Sequence, residues 1–225
     1  MSLIGLHRLS EHLVACVVPV SSAPVTLSQA DERLVVGATQ RRRAQFAAGR
    51  EAARQAMAEL GVAVVGIGQG PGGEPLFPPE LRGSISHTRE HAVALVGNAS
   101  CYRSVGVDID DARPLGDAAA SGVTWQSEVA RIQRVVELED PALAQNFAFS
   151  AKEAIFKCQY PLTLNSKLGP LQARLLANPS EAGAFTVAGW RVSAATADVL
   201  ARITVRLLAL DAQTIALALL PAELA

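Results

Sequence analysis

Twenty residues of this sequence are lysine or arginine, and only three of those are lysine. Two of the three fall within Ser150-Ala-Lys-Glu-Ala-Ile-Phe-Lys157. Glu153 and Lys157 stand one helical turn apart, and Lys152 adjoins the glutamate. Carboxylate and ammonium groups so placed can handle phosphate, metal and a proton together. The same residues also admit a structural reading. Ser150-x-x-Glu153 is a capping box, in which serine and glutamate satisfy free amides at a helix start, and Glu153 with Lys157 is an ordinary surface pair. The partners of the segment decide between the two.

Two further clusters are candidates. In Gly106-Val-Asp-Ile-Asp110, strand alternation puts Asp108 and Asp110 on one face and Val107 and Ile109 on the other. Two carboxylates on one face repel unless something positive lies between them, which suits a hard cation such as Mg²⁺ with phosphate oxygens and water completing its shell. A solvated strand end that continues into Asp111 is the structural alternative. In Gly83-Ser-Ile-Ser-His87, a serine and a histidine follow a glycine-bearing turn, where both can donate to phosphate. Ser86 beside His87 lacks the Gly-x-Ser-x-Gly elbow of a nucleophilic serine.

Composition bounds what these residues can serve. A chain of 225 residues, half of them hydrophobic, buries a sizeable core. A net charge of −1 argues against a general nucleic-acid binder, with Arg41-Arg42-Arg43, Arg50 and Arg54 as a local basic concentration. Cys16, Cys101 and Cys158 form no CxxC pair and, with four scattered histidines, give no zinc-ligand spacing; buried free thiols are expected. The amino-terminal apolar run, Leu13 to Val20, is too short for a membrane span and wrongly flanked for a signal peptide, so a cytoplasmic protein is expected.

The elements that must position these residues follow from periodicity. Leu13 to Val20 reads as a strand, Ser28 as the start of a helix with Asp31 and Glu32 in its first turn, and Gln40 to Leu60 as a long helix ending at Gly61. Val62 to Ile67 reads as a strand, and Gly68 to Pro79, dense in glycine and proline, as an irregular loop. Strands are expected at Ala92 to Val96 and Val105 to Ile109, a flexible connection at Gly116 to Gly122, and helices from Ser127 to Glu139 and from Pro141 through Lys157, with Pro161 ending them. Ala184 to Val192, Ala201 to Leu210 and Thr214 to Leu220 read as a closing antiparallel meander.

Taken in order, Gly-Ser-Ile-Ser-His at 83–87, Gly-Val-Asp-Ile-Asp at 106–110 and Phe-Ser-Ala-Lys-Glu-Ala-Ile-Phe-Lys at 149–157 resemble the three signature motifs of the 4′-phosphopantetheinyl transferases. The likeness is to the monomeric type that activates nonribosomal peptide and siderophore synthetases, and within it to the enterobactin synthetase component D branch. Phe46-Ala-Ala-Gly-Arg50 with Ala52-Ala53-Arg54, and Gly73-Glu-Pro-Leu-Phe-Pro78, are similar to that branch's upstream helix and loop, so the resemblance covers roughly residues 40 to 160.

The resemblance implies an α+β fold of two similar α/β halves packed as a pseudo-dimer, with the active site in the cleft between them. The N-terminal half, 1–110, would carry the nucleotide-contacting helix, the Gly/Pro loop, the Ser-His motif and the Asp-x-Asp strand; the C-terminal half, 111–225, would carry the Lys-Glu helix and the closing strands. It further implies Mg²⁺-dependent transfer of the phosphopantetheine arm of coenzyme A to a serine of an acyl or peptidyl carrier protein, releasing adenosine 3′,5′-bisphosphate. Asp108, Asp110 and Glu153 would hold Mg²⁺, with Glu153 also the base and Lys157 stabilising the leaving phosphate. Arg42, Arg50, Ser86, His87, Lys152 and Lys157 would bind coenzyme A, with Glu74 and Pro75 bordering its adenine; Arg43 and Arg54 are expected to be solvated.

Two departures stand out. Asp110 occupies a position commonly glutamate, and Gly72 and Gly73 stand where a basic residue commonly precedes the Glu-Pro. They motivate an alternative, a non-catalytic module of the same fold that binds coenzyme A or a carrier protein. A metal-dependent phosphohydrolase would share the acidic pair but leave the remaining motifs unexplained.

Overall fold

The computed structural model describes residues 4–62, 66–111, 126–164, 166, 172–189, 192–210 and 213–222. The elements in chain order are β1 (Gly5–Ser10), β2 (Leu13–Pro19), α1 (Gln29–Leu34), α2 (Gln40–Glu59), β3 (Gly68–Gln69), β4 (Pro75–Leu76), β5 (Leu81–His87), β6 (His91–Asn98) and β7 (Tyr102–Asp111). They continue with α3 (Gln126–Val135), α4 (Pro141–Thr163), β8 (Ala173–Ala177), β9 (Ala184–Gly189), α5 (Ala194–Ala201), β10 (Thr204–Leu210) and β11 (Gln213–Pro221). The fold is mixed α/β, and among the described residues no helix is long and apolar enough to cross a membrane.

Two antiparallel sheets, β1-β2-β6-β5 and β7-β11-β10-β9-β8, form the centre. They face each other through Leu13, Val17, Val93 and Leu95 of the first and Val105, Val107, Ile109, Ile215 and Leu217 of the second. The outer face of the first sheet packs on α2 through Val14, Cys16, Ala92, Ala94 and Val96. The outer face of the second is covered by α3, α4 and α5. The layers therefore run helix, sheet, sheet, helix. With both faces covered, β2, β6, β7 and β11 are buried along most of their lengths, which accounts for near-continuous apolar runs in place of the alternation of a half-solvated sheet.

Small residues set how closely the helices lie. α2 meets its sheet through Ala48, Ala52, Ala53 and Ala56. Thr39 caps its start by accepting from the Arg42 amide, and Gly61, at φ +81°, turns the chain beyond its end. On the other side, α4 lies directly on β7 at Gly106: a Cβ there would run into the backbone of Ala154 and Cys158. Ser104, two residues earlier on the same face, donates to the Cys158 carbonyl at 2.6 Å.

Several expectations need correction. β7, the Asp-x-Asp strand, hydrogen-bonds to β11 and belongs to the second sheet, so the change of sheet falls between β6 and β7 and not after residue 110. The α4 helix starts at Pro141 behind an Asp140 cap, which leaves Ser150 in its interior and removes the capping-box reading. Pro161 does not end the helix, which runs on to Thr163 and stops at Leu164 in the left-handed region. The Gly/Pro loop carries a two-residue ladder, β3 with β4. Residues 194–201, at the edge of an expected strand, are helix α5, and β1 and β8 were not anticipated. The expected connection at 116–122 and much of the expected strand at 62–67 lie outside the described residues.

Replacing Gly106 with alanine must push α4 off β7. We expect Gly106→Ala to lower unfolding free energy by about 1–3 kcal/mol, the usual cost of overpacking a close contact, measured by urea unfolding.

Candidate active site

β5 and β7 are the terminal strands of their sheets, and the site is built where these two edges meet beneath α4. Antiparallel register pairs Ser84 with Leu95 and Ser86 with Val93, so both serines share the face turned toward the second sheet. Val107 on the β7 edge donates its amide to Ser84 Oγ at 3.1 Å and accepts Lys157 Nζ at its carbonyl at 3.1 Å. Edge backbone groups that would otherwise go unpaired thus bind side chains from β5 and α4.

Asp108 is the centre of the arrangement and is 7% exposed. Its Oδ1 accepts from Ser86 Oγ at 2.7 Å and Lys157 Nζ at 2.6 Å, and its Oδ2 from Ser150 Oγ at 2.7 Å. Lys157 also donates to Ser86 Oγ at 2.9 Å. Ser150, Glu153 and Lys157 are spaced along one face of α4, which brings all three over β7.

Glu153 and Asp110 are half-buried, and both are held above the ordinary carboxylate range, chiefly by burial and then by the negative charge of Asp108; Lys157 pulls Glu153 partly back. The three carboxylates carry more negative charge than Lys157 balances. Among the described residues no three histidine, cysteine, aspartate or glutamate side chains are grouped as a ready metal cage. Mg²⁺ needs only one or two carboxylates and takes its other ligands from phosphate and water, so this all-oxygen, over-charged donor set fits that ion without a cage.

Beside the carboxylates opens a cavity of about 320 Å³ lined by Arg42 and Arg50 from α2, Pro75, Ser86 and His87 from the first half, and Lys157 from α4. Arg50 is 6% exposed, its guanidinium 4.6 Å from the Phe46 ring centre and its Nη2 donating to the Gly68 carbonyl at 3.2 Å. Its Nε is buried with no partner among the described residues, a donor left over on the cavity wall. Arg42 Nη1 meets His87 Nε2; a guanidinium only donates, so that nitrogen accepts and the ring is neutral. Burial, then the cations Arg42 and Lys157, hold His87 below its usual range. In the resting protein the imidazole is therefore a hydrogen-bonding group and not a cation. Glu74 lines an adjoining cavity of about 360 Å³ that shares Pro75, and its Oε2 is buried without a partner among the described residues.

Lys152 lies elsewhere. It is 4% exposed and ion-paired at 2.7 Å with buried Glu128 of α3, whose other oxygen accepts the Leu175 amide at 2.8 Å. This corrects the phosphate role expected of it: its neighbour Glu153 faces the cleft, while Lys152, a third of a turn away, faces α3. Arg43 and Arg54 are not simply solvated, for they pair with Glu32 at 2.6 Å and Glu51 at 3.3 Å. Cys16 and Cys158 are buried free thiols pushed up to about 11 and about 12 by burial, while Cys101 is half-buried. Sequence reading missed Ser84, Ser150 as a ligand of Asp108, and Glu128; the period of two from Ser86 back to Ser84 was the signal available for the first.

Residues 30–97 match the family described as the 4′-phosphopantetheinyl transferase N-terminal domain, and residues 104–207 match the 4′-phosphopantetheinyl transferase superfamily. The chain belongs to the 4′-phosphopantetheinyl transferase superfamily. The break between the two matches coincides with the passage from β6 to β7. The chain is 33% identical over 135 residues to 4′-phosphopantetheinyl transferase Npt of Nocardia iowensis, covering 60% of this chain and 59% of that protein. It is 32% identical over 164 residues to 4′-phosphopantetheinyl transferase Svp of Streptomyces mobaraensis, covering 72% and 66%. With enterobactin synthase component D of Salmonella typhi it shares 38% identity over 122 residues, covering 53% and 49%. The matched part thus spans from about half to two thirds of these relatives.

Two measurements check the electrostatics. Breaking the buried pair by Lys152→Met should cost about 3–5 kcal/mol of unfolding free energy, and adding Glu128→Gln, which removes the stranded charge but keeps an acceptor for Leu175, should recover most of it. A folded-state carboxyl pKa raised above its unfolded value contributes stability below the unfolded pKa, and that contribution is lost as pH rises through the folded one. Glu153→Gln is therefore expected to melt above the wild type at neutral pH, with the gap closing toward about pH 4, in thermal scans without divalent ions.

Proposed function

We propose that this protein transfers the 4′-phosphopantetheine arm of coenzyme A to the serine of an acyl or peptidyl carrier protein in a Mg²⁺-dependent reaction that releases adenosine 3′,5′-bisphosphate. The observation that carries the reading is the junction of a cationic cavity with a buried, over-charged carboxylate cluster through one residue, Lys157, which belongs to both. That is the charge pattern of a site that holds an anionic nucleotide next to its point of cleavage.

On this reading the 3′-phosphate of coenzyme A lies against Arg42, Arg50 and His87, the arginines' fixed donor forks suiting a dianion, and Arg50 Nε gains a partner. Glu74 and Pro75 border the adenine. Asp108, Asp110 and Glu153 would hold Mg²⁺, which when bound offsets the charge of the pyrophosphate. The carrier serine oxygen forms a bond to the pantetheine-side phosphorus as the bond from that phosphorus to the bridging oxygen breaks. Glu153, whose raised pKa suits a base, takes the serine proton, and Lys157 stabilises the charge gathering on the departing bisphosphate. Ser86 and Ser150 keep Asp108 in place throughout.

The reading extends to the whole molecule. Each half has an antiparallel sheet with a long helix on its outer face, and the two sheets pack together, which supports a pseudo-dimer of repeated halves meeting at the cleft. We read the protein as a monomer acting in the cytoplasm, a setting that fits its three free thiols, two of them buried. The shorter reach of Asp110, and Gly72 and Gly73 in place of a basic residue before Glu74, support the alternative of a coenzyme A-binding module without catalysis.

Incubation with coenzyme A, Mg²⁺ and a panel of acyl and peptidyl carrier proteins decides between them. The expected result is a carrier heavier by one phosphopantetheine, with Glu153→Gln slowing its formation by roughly 100-fold or more, the usual contribution of a general base. Tight coenzyme A binding with no mass gain on any carrier would leave only the binding module.

A further inference from the structure

Gln213 opens β11 and is paired in register with Asp111, directly after Asp110 on β7. It is 5% exposed, and its side chain leaves its own sheet for the other one. The amide Nε2 lies 2.8 Å from His91 Nδ1, 3.1 Å from Asp111 Oδ1 and 3.4 Å from Thr88 Oγ1. A carboxylate only accepts, so the atom facing Asp111 is the amide nitrogen, and its second hydrogen goes to His91. Thr88 in turn accepts the Glu90 and His91 amides at 3.2 Å each, which closes the turn between β5 and β6. One buried amide thus ties His91, whose own backbone amide is held by Thr88 next to His87, to the residue after Asp110.

We infer that Gln213 is a positioning residue that fixes the gap between the phosphate-binding edge of the first half and the carboxylate edge of the second. This rests on the transferase reading, because the gap matters only if one ligand must touch both edges at once. Near the site, Ser84 and Ser86 tie β5 to the middle of β7, at Val107 and Asp108. β5 ends at His87 while β7 runs on to Asp111, and Gln213 supplies the tie between the β5–β6 turn and that end of β7. Its cost is visible: Gln213 Oε1 is buried with no partner among the described residues, so the side chain is held for what its nitrogen does. Gln213 touches no expected ligand position and acts through Thr88, His91 and Asp111.

The test is calorimetric binding of coenzyme A with Mg²⁺ to the full chain. Gln213→Leu should weaken binding about tenfold, the scale of one buried hydrogen bond left unmade, at a temperature where circular dichroism shows the variant folded. Gln213→Glu combined with Asp111→Asn reverses donor and acceptor across the same gap and should restore affinity to within about threefold. A Gln213→Leu variant that binds like the wild type overturns the inference. So does a double variant no better than Gln213→Leu, since that assigns the loss to packing alone. Wild-type protein that binds no coenzyme A would instead refute the transferase reading, and this inference with it.

Discussion

Burying Asp108 is the constraint on which the rest depends. A carboxylate taken out of water is tolerated only if its oxygens are bonded and its charge is met. Here the bonds come from Ser86, Ser150 and Lys157, on β5 and α4, while the carboxylate itself sits on β7. Neither sheet with its own helices supplies all of these bonds. The edges of both sheets must be in place before Asp108 is satisfied, so the site and the packing of the two sheets are one energetic unit.

The layer order explains why that unit lies at the strand edges. Between two sheets faced together and backed by helices, the central positions are apolar, as Val93, Leu95, Val107 and Leu217 illustrate. Polar chemistry is admitted where β5 and β7 leave backbone groups unpaired and where α4 comes close enough to answer them. Gly106 sets that closeness. Its missing side chain lets Ser150 reach Asp108, and the same helix face then presents Glu153 and Lys157. A glycine that reads in the sequence only as part of a motif is, physically, what lets the helix approach the strand.

Much of this was legible before any coordinates. Strand alternation correctly placed Asp108 and Asp110 on the face opposite Val107 and Ile109, and helical spacing put Glu153 with Lys157. The layout of α2 and its end at Gly61 followed from composition and turn chemistry. What sequence could not supply was orientation among elements. Ser150 matched a capping box because Glu153 follows at the right distance, but the true cap, Asp140, begins the helix earlier and leaves Ser150 free to bind across to β7. Lys152 looked equivalent to Lys157 until α3 placed Glu128 against it. The side chain of Gln213 reaches a turn more than a hundred residues away, a contact that no local pattern announces.

Lys157 shows how closely charge is allotted here. An ammonium has three hydrogens, and in the resting protein three acceptors take them: Asp108 Oδ1, Ser86 Oγ and the Val107 carbonyl. A phosphate oxygen entering the cavity can bond to Lys157 only by displacing one of them. Giving up Asp108 would strand a buried carboxylate, and giving up Val107 would strand an edge carbonyl. Ser86 is the cheapest to release, because its hydroxyl keeps Asp108 as a partner and already lines the cavity. On the transferase reading, the serine of the Ser-His motif thus has a physical role apart from any nucleophilic one: it would hold the third hydrogen of Lys157 until an anion displaces it.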